Sequence, residues 1–340
     1  MVSEQTMLAG RLNVETKEFC VKEVPVPSPG PDDVRIKVGA AGVCLSDVHL
    51  ISGMVSPPRV TTGELTLGHE VAGTVEALGA NVQEWSAGDR VVVQALIDRP
   101  DGVHTLGLDY DGGWAEYLVT PASTLVRLDD AISFETASVI PDAVSTPWAA
   151  IASTAQVRAG ESVGVWGVGG LGAHAVQLLR LVGAVPIVAV DPLEAARGRA
   201  LRLGADIALD PDAAEFGSAI GAATANRGID VIFDFAGFPA SQREAQRHLA
   251  NHGRLVLVGI SGQPVVIDDS VTFILKQNRV LGHYGSLAPH LAQLVDFVQR
   301  GRLDLSESIS DVLPLSDASE AIRRLQDKIG NPVRLVLRPR

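Results

Sequence analysis

Residues Ser162 to Gly172 read SVGVWGVGGLG, an apolar run of strand length that turns through Gly167-Val168-Gly169-Gly170-Leu171-Gly172 into an amphipathic stretch ending at Val182. G-x-G-x-x-G has mechanical meaning in that position. The first glycine permits a tight turn, the second lets the backbone approach a pyrophosphate, and the third packs the helix on the strand. The helix N-terminus then offers free N–H groups to the anion. In isolation the spacing would be an ordinary glycine-rich turn; the strand before it, the helix after it and the second apolar strand PIVAV (186–190) make it a dinucleotide fingerprint. Asp191 closes that second strand, 19 residues past Gly172. A carboxylate there accepts hydrogen bonds from an adenosine ribose and repels a 2′-phosphate, which favours NAD over NADP. The alternative for Asp191 is a helix N-cap, since Pro192 follows at the usual first helical position, and both roles can coexist. Arg197 and Arg199 read as solvated helix residues rather than 2′-phosphate ligands.

Outward from this unit the same texture continues. Short apolar runs at ADIAL (205–209), IDVIFDF (229–235) and RLVLVG (254–259) have the composition of strands covered on both faces. Helices Gly170 to Val182 and Leu193 to Leu203 fall between the first three strands, so this part is a doubly wound parallel sheet. Upstream to about residue 130 the pattern differs, with β runs such as VRIKV (34–38), VAGTVEAL (71–78), RVVVQA (90–95) and AEYLV (115–119) between Gly, Pro and Asp turns. Helical spacing begins near Glu135. After Gly285 come two helical segments, about 288–300 and 316–328, and a last strand VRLVL (333–337). The expected organisation is a β-rich domain over 1–150, a dinucleotide-binding domain over 151–285, and a closing segment over 286–340.

The chain has 340 residues, 46% hydrophobic and 20% charged, which excludes disorder and leaves room for two domains. Lys plus Arg number 28 against 40 Asp plus Glu, a net charge of −12 that repels phosphate polymers and anionic lipid, so neither nucleic acid nor membrane is an expected partner. The apolar stretch Ser162 to Leu179 carries glycines, His174 and Gln177 and does not read as a membrane span. Cys20 and Cys44 are the two cysteines, too few for a disulfide framework. With no basic-then-apolar leader at the N-terminus, a cytoplasmic location is expected.

Three further segments carry candidate chemistry: Gly42-Val43-Cys44-Leu45-Ser46-Asp47-Val48-His49, Gly68-His69-Glu70, and Pro141-Asp142-Ala143-Val144-Ser145-Thr146. Cys44 and His69 are 25 residues apart and Asp142 lies 73 further on, which is no compact zinc motif. Spacing alone reads them as a buried thiol, a core histidine and a helix-capping aspartate. Together with the dinucleotide fingerprint, however, and with Gly88-Asp89-Arg90-Val91 and Asp111-Gly112-Gly113 in order, these segments resemble the zinc-dependent alcohol dehydrogenases of the medium-chain dehydrogenase/reductase superfamily. The resemblance covers essentially the whole chain. It implies a GroES-like catalytic domain, a Rossmann domain inserted in it, and a C-terminal return to the first.

The resemblance also assigns roles. It implies Cys44, His69 and Asp142 as ligands of one catalytic zinc, the third position being cysteine, aspartate or glutamate among relatives. Three protein ligands leave a fourth position for water or an alcohol oxygen, whose pKa the cation lowers toward about 7. Glu70 matches a residue that approaches the metal and assists ligand exchange, or else forms a buried ion pair with Arg334, which matches an arginine near the glutamate and the pyrophosphate. Asp47 matches a carboxylate that orients the histidine ligand. Ser46 matches the hydroxyl that accepts the substrate proton, His49 the imidazole that passes it outward, and Thr146 a residue flanking the nicotinamide.

Two departures stand out. Relatives often bind a structural zinc through four cysteines in the segment corresponding to Ile97 to Tyr110, which here has none, so no structural zinc is expected. Asp98, Asp101, His104 and Asp109 read there as a solvated acidic loop. Leu45 stands where some relatives place a basic residue on the cofactor phosphate. Ala95 aligns with a position that often carries a bulky pocket residue, and Trp114 and Trp148 are either near the pocket or plain core. The implied activity is zinc- and NAD-dependent interconversion of an alcohol with an aldehyde or ketone, in a homodimer or homotetramer. The rivals are a zinc-free, NADPH-dependent quinone or enoyl reductase on the same fold, and a non-catalytic nucleotide-binding or structural protein.

Overall fold

The computed structural model describes residues 5 to 340; the first residues of the N-terminal segment read above for export signals lie outside them. Chain packing divides the molecule into two units, residues up to 145 together with 286–340, and residues 146–285.

In the second unit six strands lie parallel, ordered Ile207–Leu209, Ile187–Val190, Val163–Trp166, Ile229–Asp234, Leu249–Leu257 and Arg279–Gly282. The strand read from SVGVW is thus central, flanked by the second and fourth strands of the unit. Strand order reverses there, the position at which such sheets open a crevice beyond the strands' carboxyl ends. All four residues of Val163–Trp166 and of Ile187–Val190 are buried, as a sheet covered on both faces requires. Helix Gly170–Val182 packs Ala173, Val176 and Leu179 inward and stops at Gly183, whose φ of 87° is the left-handed conformation that ends helices. Trp166 anchors a core with Val188, Ile232 and Leu255, and Phe216 packs edge-on against it. Two helices not read from the sequence, Phe216–Ala223 and Pro239–Arg247, make further crossovers.

The first unit is built around the strand Asp33–Val43. It pairs antiparallel with Val71–Leu78, Tyr117–Pro121 and the C-terminal strand Arg334–Arg338. Val34, Ile36 and Val38 point to one face and are buried with Leu118, Leu335 and Leu337 in the core of this unit. Register then does the positioning. Ala41 pairs with Val71, which brings Glu70 beside Gly42; Val43 pairs with Leu335, which brings Arg334 beside Cys44. Gly42 is required by that approach, because a Cβ there would lie 1.9 Å from Glu70 Oε2. The segment read as a solvated loop is instead a hairpin, Leu96–Arg99 with Gly102–Thr105. Among the described residues no helix is long and apolar enough to cross a membrane.

Candidate metal centre and dinucleotide loop

Cys44 directly follows the central strand and is the N-cap of the helix Leu45–Ile51, with extended backbone at φ −111°, ψ 155°. The Cys44 N–H donates to Asp47 Oδ2 at 2.9 Å, so the turn that presents the thiol is held by a carboxylate from the first helical turn. His69 and Glu70 immediately precede the strand Val71–Leu78, and Asp142 sits in a wide π-type turn, Ile140–Val144. Cys44 Sγ lies 3.3 Å from Asp142 Oδ2, and His69 Nε2 lies 3.6 Å from the same oxygen. All three donor atoms fall within 4.8 Å of one another, and this is the one cluster of three or more metal-ligating side chains among the described residues. Zinc bonds of about 2.0–2.3 Å in a tetrahedron place neighbouring donors roughly 3.3–3.7 Å apart, so one sulfur, one nitrogen and one oxygen fit such a cation.

The surrounding groups set the charge. Asp47 Oδ1 is 3.6 Å from His69 Nδ1, an electrostatic contact longer than a hydrogen bond. Burial opposes charging of His69, yet Asp47, Asp142 and Cys44 together hold its pKa well above the usual imidazole value. A cation among these donors would displace that proton. Arg334 is 3% exposed; its Nε donates to Glu70 Oε1 at 3.1 Å, and its Nη2 donates to Asp142 Oδ2 at 3.1 Å and lies 3.6 Å from Cys44 Sγ. Burial alone would lower its pKa, but Glu70, Cys44 and Asp142 raise it. Glu70 Oε1 also accepts the Ala143 N–H at 3.0 Å, while its Oε2 is buried without a hydrogen-bond partner. Burial pushes the Glu70 carboxyl up and Arg334 opposes this. The buried ion pair of Glu70 with Arg334 is thus present, and the same arginine reaches Asp142 and Cys44.

Ser46 Oγ stands 3.4 Å from His69 Nε2, the nitrogen that faces Asp142. His49, three residues on, shares that face of the helix; its Nδ1 is buried without a partner, and burial lowers its pKa. Leu45 is 43% exposed. Ala95 is fully buried. Trp114 is core, its indole N–H donating to the Gly42 carbonyl at 2.9 Å and Phe19 packing edge-on against it. In the hairpin, Arg59 pairs with Asp109 at 3.3 Å and with Asp101 at 3.4 Å, and His104 pairs with Asp101 at 2.9 Å.

The second unit brings the fingerprint together. Gly167 turns at φ 87° and Gly169 precedes the helix whose first residues are Gly170, Leu171 and Gly172. Asp191 Oδ2 accepts the Val168 N–H at 2.9 Å and Oδ1 accepts the Leu193 N–H at 2.9 Å. The next helix is Glu194–Arg202 with Leu193 as its N-cap, so Asp191 is not the capping residue that Pro192 suggested. Arg197 and Arg199 also differ from expectation. Arg199 is buried, its Nη2 donating to the Val168 carbonyl at 2.7 Å, and Arg197 Nη1 donates to the Asp191 and Pro192 carbonyls at 2.9 and 2.8 Å. The signal for Arg199 was its place between Ala196 and Ala200, a buried helical stripe. Thr146 is in this unit, buried, its carbonyl 3.1 Å from His283 Nε2.

A β-rich unit carrying a three-donor cluster and a parallel sheet carrying a dinucleotide loop define a zinc-type dehydrogenase class. Comparison with known proteins agrees. Residues 30–130 match the family model described as the alcohol dehydrogenase GroES-like domain, and residues 170–300 that described as zinc-binding dehydrogenase. An L-threonine 3-dehydrogenase of Caldanaerobacter subterraneus subsp. tengcongensis is 30% identical over 336 residues, covering 92% of this chain and 93% of its own. An NAD-dependent alcohol dehydrogenase of Sulfurisphaera tokodaii is 30% identical, covering 94% and 97%. A protein of Sinorhizobium meliloti 1021 assigned as a zinc-binding dehydrogenase, solved bound to NADP, superposes with a TM-score of 0.88 at 26% identity, covering 98% and 100%. The chain belongs to the zinc-type alcohol dehydrogenase family of the medium-chain dehydrogenase/reductase superfamily, and it is an oxidoreductase that acts on alcohols.

Proposed function

We propose that the protein is a zinc- and NAD-dependent alcohol dehydrogenase catalysing reversible hydride transfer between an alcohol and an aldehyde or ketone. The observation that carries this reading is the convergence of Cys44 Sγ, His69 Nε2 and Asp142 Oδ2 within 4.8 Å, with Ser46 Oγ 3.4 Å from the same His69 nitrogen. Cys44, His69 and Asp142 would hold the metal. When bound, zinc supplies Lewis acidity toward the substrate oxygen and the nicotinamide supplies the hydride acceptor. Ser46 takes the hydroxyl proton and His49, on the same helical face, relays it toward solvent. Arg334 offsets the negative charge of Glu70 and Asp142 and fixes both carboxylates.

Asp191 supports NAD as the cofactor: its oxygens keep lone pairs for ribose hydroxyls, and its charge opposes a 2′-phosphate. Relatives at similar distance bear NAD in their names or NADP in their structures, so the preference rests on this residue. A cytoplasmic homodimer or homotetramer with one zinc per chain completes the reading. Kinetics on zinc-loaded protein with a panel of secondary alcohols, diols and 3-hydroxy amino acids test it. The expected result is turnover in which kcat/KM with NAD exceeds that with NADP by at least about tenfold, or 1.4 kcal/mol. Equal use of NADP would remove Asp191 as the discriminator. Reduction of quinones or activated alkenes by metal-free protein would replace the reading with the zinc-free reductase.

A further inference from the structure

We infer that Arg199 is a positioning residue for the dinucleotide loop, which it holds together with Asp191 by gripping the backbone N–H and C=O of a single residue, Val168. This rests on the dinucleotide-dependent reading above and assigns a role to a side chain that the sequence left in solvent. Val168 is the one non-glycine among the four residues from Gly167 to Gly170, and it is fully buried. Its N–H donates to Asp191 Oδ2 at 2.9 Å and its C=O accepts from Arg199 Nη2 at 2.7 Å. Both bonds are charge-assisted, and both partners are buried, at 9% and 7% exposure.

The need for such a grip follows from the loop's composition. Gly167, Gly169, Gly170 and Gly172 give the backbone the freedom it needs to approach a pyrophosphate, and the same freedom costs the most entropy when the loop is ordered. A loop ordered before the ligand arrives removes that cost from binding. Asp191 and Arg199 order it from outside, one through the amide hydrogen and one through the carbonyl. Arg197 is engaged beside them, donating to the Asp191 and Pro192 carbonyls and pairing with Asp210 at 3.0 Å. Both arginines thus donate to protein backbone, Arg199 to the Val168 carbonyl and Arg197 to the Asp191 and Pro192 carbonyls. Asp191 thus has two tasks, and replacing it to admit NADP also removes the acceptor for the Val168 N–H.

The test uses zinc-loaded enzyme and the variants Arg199→Leu and Arg199→Lys. Loss of one charge-assisted bond to a buried carbonyl is expected to raise KM for NAD at least about tenfold in Arg199→Leu, with kcat changed by less than about threefold. Lysine can donate to one carbonyl, so Arg199→Lys is expected to recover most of the loss. A general loss of folding would lower kcat and metal content with it and would not be rescued by lysine. KM for NAD in Arg199→Leu within about twofold of wild type, or a lysine variant no better than the leucine variant, overturns the inference. If Arg199→Leu is not recovered folded, Arg199→Gln is read by the same criteria. Direct titration with NADH separates the two levels: no binding to the wild-type protein overturns the dinucleotide-dependent reading and the grip with it, whereas wild-type binding matched within about twofold by Arg199→Leu overturns the grip alone.

Discussion

Ser46 Oγ, 3.4 Å from a nitrogen that also faces Asp142, is close enough to the donor cluster to share a proton with an oxygen bound there. Ser46→Ala is therefore expected to cut alcohol oxidation by about 10²- to 10⁴-fold, measured as kcat with saturating cofactor. His49 stands one helical step out, and its loss costs less, because solvent or buffer can take its place. Burial lowers the His49 pKa, so the imidazole stays neutral and able to accept a proton until the pH falls below the ordinary value of about 6.5. The acid limb of the kcat profile is expected below that pH, and His49→Gln should abolish the limb and become sensitive to buffer concentration. An unchanged profile would take His49 out of the path. The residues differ in how far the sequence disclosed them. Cys44, His69 and Asp142 are 25 and 73 positions apart; the pairing of Ala41 with Val71 brings the first two segments together and the Ala143 N–H to Glu70 ties in the third, none of which spacing discloses, so their roles came from resemblance. Arg199 was only partly legible: its place between Ala196 and Ala200 marks the buried stripe, but the Val168 carbonyl it reaches is not given by helical spacing.

At the scale of elements, the fingerprint was legible because local geometry dictates it, and its glycines make separable predictions. A Cβ on Gly172 would lie 1.9 Å from the Gly167 carbonyl oxygen, whereas one on Gly169 meets nothing within 4 Å. Gly172→Ala is expected to destabilise the second unit by at least about 1–3 kcal/mol and to lose cofactor binding as a consequence. Gly169→Ala is expected to melt as wild type does and to bind NADH more weakly, because its methyl reaches only toward the space a pyrophosphate would occupy. Calorimetric melting beside NADH titration checks both, and a destabilised Gly169→Ala would contradict the reading. The hairpin Leu96–Arg99 with Gly102–Thr105 was not legible, since DRPDGV looks like loop and its order depends on distant Arg59. Asp109 holds it: side-chain exposure is 2%, Oδ2 accepts the Thr105 N–H at 2.8 Å, and Oδ1 pairs with Arg59. Asp109→Ala removes the acceptor of the Thr105 N–H and one of the two carboxylates on Arg59, at a cost of about 1–3 kcal/mol. Faster amide exchange confined to residues 96–110, with zinc content unchanged, is the expected outcome; loss of zinc would mean that the hairpin takes part in metal binding.

For the whole molecule, what holds each unit together decides what metal removal does. The core of the second unit, with Trp166, Val188, Phe216, Ile232 and Leu255, contains no residue of the metal cluster, and its dinucleotide loop is fixed by Asp191 and Arg199. The first unit is closed by strand pairing that runs from Arg90–Val93 to the C-terminal strand, and Arg334 remains to face Glu70 and Asp142 when no cation is there. Neither fold depends on zinc in the way a small metal-nucleated domain does. With an oxygen donor in place of a second thiolate, the cluster also grips a soft cation less firmly. Elemental analysis is expected to return about one zinc per chain, from three ligands in a single cluster. Strong chelators are expected to abolish turnover while the far-ultraviolet circular dichroism and NADH binding persist, and added zinc to restore activity. Cys44→Ala, His69→Ala and Asp142→Ala should each behave as the chelated protein does. Asp142→Ala is the sharpest of the three, because it removes a ligand and one of the two carboxylates on Arg334 together, and it should lose metal while keeping NADH affinity within about twofold. Chelation that unfolds the chain or releases NADH would show that the metal supports the fold, and two zincs per chain would require a second site outside the cluster of Cys44, His69 and Asp142.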